Sequence, residues 1–95
     1  MSGARRVRVV VTGVVQGVFF RDTCRRTAQA AGVHGWVRNR PDGAVEAVFE
    51  GAPQAVDRLV EWAHHGPETA VVDRVAVYEE EPEGSTGFAI LPTPW

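Results

Sequence analysis

The sequence predicts an α+β sandwich, a mainly antiparallel sheet with two helices on one face. Three observations point there. Short valine-rich stretches recur along the chain with the two-residue alternation of strands. Two intervening stretches repeat their apolar residues at helical spacing. Between two of the strand-like stretches stands "RPDG" (40–43), in which Pro fixes φ, Asp bonds its own backbone and Gly takes positive φ.

Taken in order, "RRVRVVVTG" (5–13) is a strand that stops at Gly13. "FRDTCRRTAQAAG" (20–32) is a helix whose stripe is Phe20, Cys24, Ala28 and Ala31, with Gly32 as its stop. "VHGWVRNR" (33–40) and "GAVEAVFE" (43–50) are strands joined by the Pro-Asp-Gly turn. "APQAVDRLVEWAHHG" (52–66) is the second helix, with Pro53 near its first turn, Gly66 at its end, and an apolar stripe of Val56, Leu59, Val60 and Ala63. "AVVDRVAVYE" (70–79) is a strand, "EEEPEGSTG" (79–87) an acidic loop, and "FAIL" (88–91) a short last strand, placed at an edge because Pro92 follows it. The order βαββαβ plus a short extra C-terminal strand is met most simply by the ferredoxin-like topology. Ninety-five residues suit one domain spanning 1–95.

Composition removes several classes of function. All ten basic residues are arginine, the formal net charge is -2, and no basic run occurs. Clustered positive charge, on which nucleic-acid and membrane-surface binding rely, is therefore missing. An RNA-binding domain of this topology needs stacking aromatics on its central strands, and "GAVEAVFE" offers only Phe49 beside glutamates. One cysteine, Cys24, excludes an internal disulfide and a multi-cysteine metal site. It lies on the helix stripe and reads as packing. No apolar stretch reaches membrane-spanning length, and "MSGARRVRVVV" has no signal-peptide pattern, so a cytoplasmic monomer is expected.

The chemistry concentrates in "TGVVQGVFFR" (12–21). A strand-to-helix loop presents main-chain N–H groups that the first helical turn leaves without acceptors. Gly13 and Gly17 let those groups turn into one concavity suited to phosphate or carboxylate. Arg21 at the rim can grip two oxygens. The plainer alternative is an ordinary glycine-bearing turn beside a solvated arginine. A Walker loop is excluded because there is no lysine, and the Gly13–Gly17 spacing fails the dinucleotide fingerprint. His64 and His65 are neighbours on a helix, about 100° apart, and read as solvated helix-end residues. Glu79, Glu80 and Glu81 read as a solvated run, so no metal is expected.

"VTGVVQGVFFR" (11–21) and "GWVRNRPDGAVEAVFEG" (35–51) resemble the two signatures of the acylphosphatase family, without departure at the positions those patterns fix. The resemblance implies a ferredoxin-like fold and hydrolysis of acyl phosphates to a carboxylate and phosphate. It implies no metal or organic cofactor and a small-molecule substrate as partner. Arg21 matches the family's phosphate-binding arginine, and Asn39 the asparagine that positions the attacking water. The main-chain amides of Val15, Gln16, Gly17, Val18, Phe19 and Phe20 match its oxyanion cradle. Without the resemblance, Asn39 would read as a hairpin residue serving the turn. The Gln16 side chain reads as a brace for the loop and Phe20 as packing beneath it. Trp36 either walls the pocket or belongs to the core, and Arg38 and Arg40 read as solvent-facing. A regulatory module that captures an anion without hydrolysing it remains the competing reading.

Overall fold

The computed structural model describes residues 3–94. Its elements are β1 (Arg5–Val14), α1 (Phe20–Ala30), β2 (His34–Asn39), β3 (Val45–Gly51), α2 (Pro53–Ala63), β4 (Val71–Glu80) and β5 (Phe88–Ile90). The strands form one sheet in the order β4-β1-β3-β2-β5. All neighbours are antiparallel except β2 and β5, which run parallel. This is the predicted ferredoxin-like sandwich, with β5 at the edge where Pro92 placed it. No helix among the described residues is long and apolar enough to cross a membrane.

Strand alternation decides which residues meet the helices. Val7, Val9 and Val11 of β1 lie opposite Phe49, Ala47 and Val45 of β3 and are fully buried with them. Against this face pack Phe20, Cys24 and Ala28 of α1 and Ala55, Val56, Leu59 and Ala63 of α2. Each fully buried valine, leucine or phenylalanine contributes about 1.5–3 kcal/mol. Burial pushes the Cys24 thiol well above its ordinary pKa, so the residue packs rather than reacts. The hairpin turn forms as predicted: the Ala44 N–H donates to Asp42 Oδ1 at 3.0 Å, and the Gly43 N–H to the Arg40 carbonyl at 3.2 Å.

Among the described residues the opposite face carries no helix, and three sequence readings change there. Glu80 is not part of a solvated run, because it accepts from Arg6 Nε at 2.9 Å and Arg8 Nε at 3.2 Å. Arg38 is not simply solvent-facing: its Nε donates to Glu46 Oε1 at 2.9 Å, and its guanidinium lies 4.7 Å from the Trp36 ring. Trp36 thereby belongs to this face and does not wall the pocket. Arg6 donates to the buried Glu50 at 3.0 Å. Burial alone would raise the Glu50 pKa. The N–H groups of Glu83 and Gly84, at 3.1 and 2.7 Å, together with Arg6, outweigh that and hold it below the usual carboxylate range. The second helix ends at Ala63, and Gly66 stops it as expected: it is left-handed at φ 67°, and its N–H donates to the Trp62 carbonyl at 2.8 Å. His64 and His65 are exposed, as expected of helix-end residues.

Candidate active site

The site grows out of the end of β1. A bulge between Thr12 and Gly13 turns the strand, and a Cβ at Gly13 would collide with the Val71 carbonyl oxygen. Beyond it Val15 is buried and anchors the loop. Gly17 takes φ 74° and Phe19 φ 65°, two left-handed residues that curl the chain just before α1 begins. Phe19 is the only non-glycine residue with positive φ among those described. Between Gly17 and Arg21 no main-chain N–H finds an acceptor among the described residues.

Three ties hold the loop in this shape. Gln16 Nε2 donates to the carbonyls of Arg40 and Ala44, both at 2.9 Å, and so joins the loop to the β2–β3 hairpin. Thr69, from the turn after α2, donates through Oγ1 to the Val18 carbonyl at 2.5 Å. Because a trans peptide is planar, with C=O and N–H opposed, drawing that carbonyl toward Thr69 turns the Phe19 N–H to the other side of the loop. Phe20 is buried beneath, its ring centroid 5.0 Å from that of Trp62 and its edge against Gly66.

The loop closes over a cavity of about 380 Å³ whose far wall is the end of β2. Of the residues singled out by sequence, Val15, Gly17, Phe19, Phe20, Arg21 and Asn39 line it together. Gln16 and Val18 do not; they take part in the ties that shape the loop. Asp22 and Ile90 complete the lining and were not picked out by sequence. Ile90 arrives only because β5 pairs beside β2, a contact between distant parts of the chain. Helical geometry after Arg21 was the available signal for Asp22.

The electrostatics single out two side chains. Arg21 forms no ion pair or hydrogen bond among the described residues, whereas its neighbour Asp22 is held by Arg25 at 2.9 Å and Arg26 at 2.6 Å. Asn39 Oδ1 is sealed from solvent and accepts no hydrogen bond among the described residues. An unmet buried acceptor of this kind costs about 1–3 kcal/mol. No group of three or more His, Cys, Asp or Glu side chains that could hold a metal occurs among the described residues. The arrangement is thus a curled loop whose donors lack acceptors, one uncompensated cation and one carboxamide whose oxygen lacks a donor, suited to an anion with several oxygens.

Comparison with known proteins points to one family along nearly the whole chain. A family model described as acylphosphatase matches residues 7–90. An acylphosphatase of Gloeobacter violaceus is 56% identical over 91 residues, covering 96% of this chain and 98% of that protein. Among solved structures, an acylphosphatase from Coxiella burnetii superposes with a TM-score of 0.90 at 36% identity, covering 94% of each chain. One from Bacillus subtilis gives 0.88 at 36% identity, covering 92% of this chain and 98% of that one.

Proposed function

Because the chain belongs to the acylphosphatase family and is an acylphosphatase enzyme, we propose that Arg21 and the loop amides bind the phosphate of an acyl phosphate while Asn39 positions the attacking water. What supports this reading is that Gly17, Phe19, Phe20, Arg21 and Asn39 line one cavity, while among the described residues Arg21 has no counter-ion, the N–H groups between Gly17 and Arg21 have no acceptor and the Asn39 oxygen has no donor.

Phosphoryl transfer passes through a loose transition state in most analyses, so positioning and charge stabilisation form most of the protein's task. The guanidinium of Arg21 grips two phosphate oxygens, and the N–H groups between Gly17 and Arg21 take up charge on the rest. Fixed donors aimed at developing charge contribute several kcal/mol because they need no rearrangement during the reaction. The Asn39 carboxamide has one acceptor and two donors. Turned toward the cavity, its oxygen accepts from the water and directs the water's lone pair at phosphorus. The new bond forms between water oxygen and phosphorus, and the bond from phosphorus to the acyl oxygen breaks. A carboxylate leaves, and the water's proton passes to a phosphate oxygen or to solvent. Carboxylates leave readily, so the site needs neither a strong general acid nor a metal. All the groups used lie in one chain, which is consistent with a working monomer.

The test is hydrolysis of benzoyl phosphate by the purified protein, with and without EDTA. Release of benzoate and phosphate, unchanged by the chelator, is expected. A folded protein that leaves the acyl phosphate intact would reject the reading in favour of an anion-binding module. Inactivation by EDTA would overturn its metal independence.

A further inference from the structure

We propose that Phe19 forms, with Ile90, an apolar acyl subsite at the mouth of the cavity, so that the enzyme favours acyl phosphates with aromatic or branched aliphatic acyl groups. The inference rests on the function proposed above and goes beyond it by naming the part of the substrate that distinguishes one acyl phosphate from another.

Phe19 is an anomaly that packing does not explain. Its backbone is left-handed, a conformation that glycine adopts without penalty and a phenylalanine does not. Its side chain gains little burial in return, being 75% exposed. It nevertheless lines the same cavity as Arg21, two residues ahead of it in the chain. The ring therefore stands beside the proposed phosphate position with its apolar surface uncovered. Ile90 supplies the second apolar surface: it lines the same cavity and is 37% exposed. Pairing with Val37, and the Leu91 N–H donating to the Val37 carbonyl at 2.9 Å, fix it beside the strand that carries Asn39.

The polar groups account for the phosphate and the water, and they leave these two side chains for the acyl group. In-line displacement sends the leaving oxygen away from the water. The acyl group accordingly departs from the Asn39 side, which makes Phe19 the larger contributor and Ile90 the smaller. An aromatic or branched acyl group covers apolar surface there that an acetyl group cannot reach.

The experiment compares kcat/KM for benzoyl phosphate and acetyl phosphate, expressed as a ratio so that losses common to both substrates cancel. Phe19→Asn keeps a residue that tolerates left-handed φ while removing the ring, and Ile90→Thr keeps the β-branch of the edge strand. The benzoyl-to-acetyl ratio is expected to fall about five- to tenfold in the first and about twofold in the second. A ratio within about twofold of the unaltered protein's in Phe19→Asn would overturn the proposal. The unaltered protein supplies a check independent of any variant's folding. Phenylphosphonate should inhibit at least about fivefold more strongly than methylphosphonate, and equal inhibition would likewise overturn the subsite. Hydrolysis of acetyl phosphate by the unaltered protein reports separately on the underlying reading. If it occurs without aryl preference, only the subsite fails.

Discussion

The helix-free face of the sheet and the cavity beyond β1 treat charge in opposite ways. On the face, Arg6, Arg8 and Arg38 each meet a carboxylate, shared among Glu46, Glu50 and Glu80. Around the cavity, and among the described residues, Arg21 meets none, the N–H groups between Gly17 and Arg21 have no acceptor, and the Asn39 oxygen has no donor. Charges matched within the chain hold neighbouring strands in register. Charges left unmatched weaken the empty protein a little and are what an incoming anion can use.

The contrast can be broken most directly at Arg21. Arg21→Gln is expected to lower kcat/KM by about a thousandfold, because the charge acts in both ground and transition states. Its thermal midpoint should hardly move, since no partner within the chain is lost. Near-normal turnover would show that the open charge is not used. Asn39→Ala is expected to lower kcat about a hundredfold, with inhibition by inorganic phosphate altered less than about threefold. Equal losses in both would contradict a role confined to the water.

On the other side of the comparison, Glu50→Gln should leave kcat unchanged and cost about 1–3 kcal/mol of stability at neutral pH. The sign with pH follows from the depressed pKa of Glu50. Its stabilisation is complete above the unfolded carboxyl value, about 4.3, and disappears as pH falls through the lower folded value. Urea denaturation of the two proteins should therefore converge in acid; a gap that persists there would mean the carboxylate charge is not what matters. Smallest is the effect of Thr69→Val, which removes the hydroxyl that donates to the loop's Val18 carbonyl. Phosphate inhibition and kcat/KM should weaken together by about three- to tenfold, as for the loss of one hydrogen bond, and Thr69→Ser should restore both.

What the sequence disclosed followed locality. The stripes of both helices, the Asp42–Gly43 turn and the edge position of the last strand rest on residues a few positions apart, and each appears in the fold. The loop before Arg21 was legible because two glycines and a helix start lie within ten residues. Less legible was whatever depends on distant chain segments meeting. Glu80 looked solvated because Arg6 and Arg8 are more than seventy residues away. Arg38 looked free because its partner lies across a hairpin. Thr69 drew no attention, since its value comes from a carbonyl 51 positions earlier. The stop of α2, by contrast, was legible: Gly66 is left-handed at φ 67° just past the helix end.

The Gln16 tie has a kinetic consequence. By bonding the carbonyls of Arg40 and Ala44 it makes the loop and the strand bearing Asn39 one mechanical piece. The entropy of bringing those two parts together is then met once, when the chain folds, and not in every turnover. Capture of substrate should consequently need no closing movement. Its rate should follow solvent viscosity, as an encounter between two finished surfaces does.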